Sequence, residues 1–285
     1  MIVITGASGQ LGQIVIEQLI ARGISPGSIV AAVRSPVKVQ DLAARGVVVR
    51  QADYTRPETL RAAFAGAERL LLISSNELGQ RLPQHRAVID AAREAQVKQV
   101  VYTSLLRADT TPLGLGAEHL ETERLIAASG LAHVVLRNGW YTENYLASVP
   151  AALQFGVFLG AASDGRIASA ARADYAAAAA AVLAQPIGHN RTIELAGDAS
   201  YTLSDLVAEL NRRTGRSVRY QDLPRAEFEQ ALVGAGLPGP VASMLADSDA
   251  GAAIGGLFDN GHALSALIGR PTTPMAESLH AALAN

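Results

Sequence analysis

The chain has 285 residues, 49% of them apolar, enough for one large domain or a domain with a smaller lobe. Lysine and arginine total 24 against 26 acids, a net charge of −2, so there is no broad basic field for nucleic acid and no acidic tail. Cysteine is absent, which excludes disulfides, thiolate metal sites and thiol catalysis. No apolar run approaches membrane-spanning length, and the first residues already read as a strand, so a cytoplasmic protein without a targeting segment is expected.

Met1–Ile4 is a short β-branched run bounded by Thr5 and Gly6, which predicts a buried strand. Gly6, Gly9 and Gly12 follow at spacing G-x-x-G-x-x-G, and Leu11, Val15 and Leu19 then form one apolar stripe of a helix. Strand, glycine turn and helix in that order predict a dinucleotide site. One glycine takes dihedrals a side chain forbids, one admits the pyrophosphate, and one lets helix and strand approach. The helix N-terminus favours an anion. A plain βα turn is the bland alternative. The Lys-Ser/Thr ending of a nucleoside-triphosphate loop is missing.

Ser28–Val33 reads as a second buried strand with Arg34 at its exit. An NAD site usually places an acid there for the ribose hydroxyls, whereas an arginine meets a 2′-phosphate, so NADPH is favoured over NADH. Lys38 can add charge; a solvated loop arginine is the alternative. Val47–Gln51 reads as the third strand, ending at Asp53, which is open between an adenine contact and a turn residue. Pro57–Phe64 fits a short helix. Arg69–Ile73 is the fourth strand and stops at Ser74, Ser75 and Asn76, small polar residues where a cofactor ribose would lie. Pro83 is expected at the first position of the next helix, with His85 and Arg86 on its surface.

Gln99–Tyr102 is a fifth strand, Glu118–Ala128 a helix with charges on one face, and Ala132–Leu136 a sixth strand. His119 and Glu123 stand at i, i+4 as metal ligands would, but Glu118 and Glu121 beside them favour a solvated face. The sixth strand exits into Arg137, Asn138, Gly139, Trp140, Tyr141, Thr142, Glu143, Asn144 and Tyr145. These flat apolar bodies with polar tips suit an aromatic ligand beside a nicotinamide, or ordinary packing. The alternation predicts an α/β fold of Rossmann type, a doubly wound parallel sheet. Residues 1–150 would form the NADP-binding domain, with the alanine-rich helix 174–185, capped by Asp174, packing back on it. Residues 186–285 would form a smaller C-terminal α/β lobe over the substrate cleft. Within it Thr202 is a candidate helix cap, Val218–Gln221 a short strand, and the tail beyond Pro224 mostly helical.

The only lysines are Lys38 and Lys98, and neither lies four residues after a tyrosine, so the Tyr-x-x-x-Lys acid of ordinary short-chain dehydrogenases is excluded. No H-E-x-x-H and no G-x-S-x-G elbow stands in the chain. A substrate whose reduced form is a stabilised anion needs no strong acid. A quinone fits; a cationic triarylmethane dye needs no acid either, because hydride lands on carbon and neutralises the cation.

The segments ITGASGQLG, VRSPVK, QADY, LLLISS, VVYTSLL, HLETE, LRNGWYTENYL, DYAAAA and ADSDAGAAIGGLFD, in this order, resemble the NmrA-like atypical short-chain dehydrogenases/reductases. The likeness is nearest to the bacterial NAD(P)H:quinone oxidoreductase type 2 group and looser to triphenylmethane reductase. It covers nearly the whole chain; Arg124, where a lysine is expected, is one departure. The resemblance implies NADPH as cofactor and a small quinone or related aromatic electron acceptor as partner. It implies that Gly6, Ala7, Ser8, Gly9, Gln10 and Leu11 hold the phosphates and that Arg34 takes the 2′-phosphate. Ser74, Ser75 and Asn76 would line the ribose and nicotinamide side. Asn138, Gly139, Trp140, Tyr141, Thr142 and Glu143 would close over the nicotinamide, with Trp140, Tyr141 and Tyr145 in the substrate cleft. Some relatives of this kind are redox sensors without turnover, which leaves a regulator as the alternative to an enzyme. A homodimer stays open.

Overall fold

The computed structural model describes residues 1–77 and 79–284. Strand β1 (Ile2–Thr5) is buried along its whole length and is followed by helix Gln10–Ala21. It lies between β2 (Ile29–Val33) and β4 (Arg69–Leu72), with both pairings parallel. Beyond β2 lies β3 (Val48–Gln51), and beyond β4 come β5 (Gln99–Leu105), β6 (Ala132–Asn138) and β8 (Arg191–Leu195), giving a seven-stranded sheet of order β3-β2-β1-β4-β5-β6-β8. Strands β7 (Val157–Gly160) and β9 (Arg219–Asp222) form a separate parallel pair. This is the doubly wound α/β fold expected from the alternation of elements.

The sheet alternates its faces as the pleat requires. Val3, Val30, Leu70, Leu72, Val100 and Tyr102 enter one core with Leu60 and Phe64 of helix Pro57–Phe64 and Val88, Ile89 and Ala92 of helix Arg81–Glu94. Two compact units emerge from the internal contacts. The first holds residues 1–105, 117–137 and 175–193, and the second residues 106–116, 138–174 and 194–285. The chain interleaves them, so single cuts at 150 and 186 do not coincide with these units. The second unit contains the β7–β9 pair and helices that include Leu203–Thr214, Arg225–Gly234 and Gly239–Ala253.

Thr202 caps helix Leu203–Thr214 in a reciprocal box with Asp205. Helix Arg81–Glu94 begins two residues before Pro83, which still falls within the first turn, where a missing N–H removes no helical bond. Asp174 is no cap either: helix Arg172–Ala184 starts earlier. Its carboxylate, fully buried, accepts instead from Arg270 Nη2 at 2.6 Å and the Thr273 N–H at 2.7 Å.

Candidate functional site

In the order β2-β1-β4, the connections run opposite ways on the two sides of β1. A doubly wound sheet opens a crevice outside the carboxyl ends of the strands at such a point. The glycine turn sits there. Gly6 has φ of +60°. A Cβ on Gly12 would come within 2.7 Å of both the Ala7 Cα and the Gly6 carbonyl oxygen, so only glycine lets the helix start this close to the strand. Gln13 Nε2 donates to the Ser8 carbonyl at 3.1 Å and pins the loop.

The following helix receives no side-chain cap at Gly9 and carries no acid in its first turn. Its first internal bond runs from Gln13 N to Gly9 O, which leaves the N–H groups of Gln10, Leu11 and Gly12 without intrahelical partners. Contrast the fully boxed helix at Thr202. Free donors, a positive dipole end and a glycine-lined approach fit a dinucleotide pyrophosphate.

Arg34 stands exposed at the exit of β2, as expected, and Gln51 Nε2 donates to its carbonyl at 3.4 Å. Its Nη1 pairs with Glu77 Oε1 at 2.8 Å. Asp53 takes the turn role: its Oδ1 accepts from the Thr55 N–H at 2.9 Å and the Thr55 hydroxyl at 2.8 Å, which holds its carboxyl below the usual range. Tyr54 donates from its hydroxyl to Thr5 Oγ1 at 2.6 Å, joining the ends of β1 and β3.

After β4, the Ser74 N–H donates to Thr103 Oγ1 at 2.9 Å. Ser75 is held more tightly. Its N–H donates to His85 Nε2 at 2.9 Å, its hydroxyl to Gln84 Oε1 at 2.5 Å, and its carbonyl accepts from Arg81 Nε at 2.9 Å. Asn76 is exposed. His85 is fully buried rather than on the surface. Burial, then the nearby Arg81 charge, lowers its pKa to about 3. A neutral ring accepting at Nε2 carries its proton on Nδ1 and donates to Thr122 Oγ1 at 3.0 Å. His85 thus fixes the backbone of the Ser75 loop. The sequence carried a signal for it, since His85, Val88, Ile89 and Ala92 form one helical stripe, all buried. Arg86 is exposed, as expected.

The face of helix Gly116–Ala128 carrying His119 and Glu123 is buried, not solvated. His119 Nδ1 shares a hydrogen bond with the Tyr102 hydroxyl at 2.8 Å, and burial lowers its pKa. Glu123 forms a two-pronged pair with Arg137, Nη2–Oε2 at 2.7 Å and Nε–Oε1 at 3.0 Å, and accepts from the Ser104 hydroxyl at 2.5 Å. These partners come from β5 and β6, far away in sequence, which is why local charge patterning misread the face. Among the described residues no three His, Asp or Glu side chains gather as a metal site.

The residues Asn138–Tyr145 belong to the second unit, apart from Gly6–Leu11, Arg34 and Ser74–Asn76 of the first. Asn138, Gly139, Trp140 and Thr142 are buried. Among the described residues the buried Asn138 Oδ1 has no hydrogen-bond partner. Gly139 N–H donates to the Leu195 carbonyl at 2.7 Å. Arg172 lies over the Tyr141 ring, 4.9 Å from its centroid, and its N–H donates to Glu143 at 2.9 Å. Thr142 Oγ1, Ser169 Oγ and the Tyr201 hydroxyl form a chain at 2.8 and 2.6 Å. Tyr145 donates to Asp249 Oδ1 at 3.1 Å, while Asp249 Oδ2 accepts from the Ala161 N–H at 3.0 Å. Burial raises the Asp249 pKa to about 6. No local pattern announced Asp249, which lies 104 residues from Tyr145.

A family profile described as NAD(P)H-binding matches residues 6–186. Quinone oxidoreductase 2 of Escherichia coli (strain K12) is 58% identical over 279 residues, 98% of this chain and 97% of the relative. The crystal structure of an NADPH-dependent quinone oxidoreductase from Escherichia coli, complexed with NADPH, superposes with a TM-score of 0.96 at 58% identity and full coverage of both chains. Triphenylmethane reductase of Citrobacter sp., complexed with NADP(H), superposes with a TM-score of 0.94 at 34% identity, covering 99% of this chain and 100% of the other. An NmrA-like family domain-containing oxidoreductase of Aspergillus flavus is 34% identical over 80% of this chain and 76% of its own length. With a glycine turn that fits a dinucleotide and full-length likeness to such reductases, this chain belongs to the NAD(P)H-binding family, among its NmrA-like members.

Proposed function

We propose that this protein is an NADPH-dependent quinone oxidoreductase that passes hydride to a small quinone without a tyrosine–lysine pair. The observation that carries the reading is the 58% identity, over full length, to a quinone reductase whose crystal structure holds NADPH. The open helix start at Gly9 supports the cofactor half independently.

Gly6, Ala7, Ser8, Gly9, Gln10 and Leu11 hold the pyrophosphate, and Arg34 meets the 2′-phosphate with a planar pair of donors. Ser74, Ser75 and Asn76 serve the ribose and nicotinamide side, with Ser75 positioned by His85. Asn138, Gly139, Trp140, Tyr141, Thr142 and Glu143 serve the nicotinamide end. The orphan Asn138 Oδ1 is suited to accept from a carboxamide N–H. Trp140, Tyr141 and Tyr145 flank the quinone and exclude water. Bound NADPH supplies the hydride. The reduced quinone is a phenolate-type oxygen that solvent protonates, so this chain contributes orientation and a dry cleft rather than a strong acid. A cytoplasmic location and a homodimer complete the reading; fractionation and light scattering test them.

The direct test is NADPH oxidation by purified protein with a benzoquinone and a naphthoquinone, run beside NADH. Turnover that favours NADPH is expected. Tight NADPH binding without turnover would replace the enzyme by a redox sensor, and reduction of a triarylmethane dye far faster than of any quinone would change the acceptor class.

A further inference from the structure

The Arg34–Glu77 pair sits where the 2′-phosphate is assigned. Arg34 is 67% exposed and Glu77 41%, with Nη1–Oε1 at 2.8 Å. Glu77 is not held by Arg34 alone. Its Oε2 accepts from Gln84 Nε2 at 2.6 Å, and its N–H donates to Ser75 Oγ at 3.2 Å. Gln84 is itself buried and takes the Ser75 hydroxyl on its Oε1 at 2.5 Å. When the arginine swings away, the carboxylate therefore stays anchored to a buried amide.

We propose that Glu77 is a cofactor-specificity residue, its anchored carboxylate competing with the 2′-phosphate of NADPH for the Arg34 guanidinium. The inference rests on the assignment of Arg34 to that phosphate. A doubly charged phosphate brought to Arg34 must displace a carboxylate and then remain close to it. NADH presents hydroxyls at the same place, which carry no charge and donate to a carboxylate. Glu77 thus lowers the preference for NADPH that Arg34 creates and keeps NADH usable. Exposed pairs are weak, and salt screens them. The effect is accordingly a tuning of preference rather than a switch.

The test measures binding of 2′,5′-ADP and 5′-AMP to the full chain by calorimetry, for the wild type, Glu77→Gln, Arg34→Ala and the double variant. Gln keeps the acceptor toward Gln84 and removes the charge. Glu77→Gln is expected to tighten 2′,5′-ADP about threefold to tenfold and to leave 5′-AMP within about twofold, the gain shrinking at high salt. The gain should vanish when Arg34 is already alanine. Unchanged 2′,5′-ADP binding in Glu77→Gln overturns the proposal, and weaker binding overturns it and means that Glu77 instead positions Arg34. If Arg34→Ala binds 2′,5′-ADP as well as wild type does, the Arg34 assignment falls and Glu77's role with it. If Arg34→Ala loses that ligand while Glu77→Gln gains nothing, only Glu77's role falls. Glu77→Ser carries the same expectation should Glu77→Gln fail to fold.

Discussion

In the first unit, His85 takes the Ser75 N–H on one ring nitrogen and gives its proton to Thr122 from the other. In the second, Asp249 takes the Ala161 N–H on one carboxylate oxygen and the Tyr145 hydroxyl on the other. Both groups are buried and both are locked to backbone, yet burial drives their pKa values in opposite directions, to about 3 for His85 and about 6 for Asp249. Burial favours the neutral form of each. For the histidine that is the form present at neutral pH. For the aspartate it is not, so near pH 7 the second unit carries a buried anion that accepts from the Tyr145 hydroxyl and the Ala161 N–H. Tyr220 and Asp222, which also face this region, add negative charge or none.

The signs follow by linkage. The unfolded chain protonates His85 near its ordinary 6.5 and the folded chain only near 3, so His85's contribution is present above about 6.5 and lost as pH falls toward about 3. Asp249 titrates near 6 folded against 3.8 unfolded, so its contribution is full below about 3.8 and is lost as pH rises through about 6. Glu123 shows the third arrangement, a buried carboxylate with a two-pronged guanidinium partner.

The largest effect should come from turning that third arrangement into the Asp249 case. Arg137→Met leaves Glu123 buried and uncompensated, with an expected loss of about 3–5 kcal/mol in urea unfolding; a loss below about 1 kcal/mol would show that water reaches Glu123. Next, Asp249→Asn should remove the acid-side gain: between pH 4 and 8 the wild type gives up about 2–3 kcal/mol at this site, and the variant should show a flatter stability profile. An unchanged profile would mean that Asp249 titrates normally. His85→Ala orphans the Ser75 N–H, and an expected loss of about 1–3 kcal/mol at pH 8 should shrink as pH falls below 6.5. A loss that stays constant with pH would contradict a neutral His85 in the native state. The smallest effect is Tyr145→Phe, which removes one donor to Asp249. About 1 kcal/mol at pH 8 and almost nothing at pH 4 is expected from the same unfolding series; equal losses at both would detach Tyr145 from the ionised Asp249.

The glycine turn was legible because each of its causes is local. A buried β-branched run, dihedrals open to glycine, and an apolar stripe at helical spacing all lie within Met1–Leu19. Thr202 was legible for the same reason, since a capping box closes over three residues. His85 departs from the surface position expected of a polar residue because its stripe with Val88, Ile89 and Ala92 faces the core. His119 and Glu123 were misread because Tyr102, Ser104 and Arg137, the partners that make their burial tolerable, arrive from other strands.

The sequence by itself therefore determined the order of strands and helices, the glycine turn, the arginine at the exit of β2 and the lack of a tyrosine–lysine acid. Each is a matter of near neighbours or of which residue types exist at all. Only the tertiary structure decided which partner each polar side chain meets and which of them are buried: Glu77 on Arg34 in the open, and in the interior His85 beneath Ser75, Arg137 on Glu123 and Asp249 on Tyr145. The ionisation of a buried group depends on the few ångströms around it, and those are filled by residues far away along the chain.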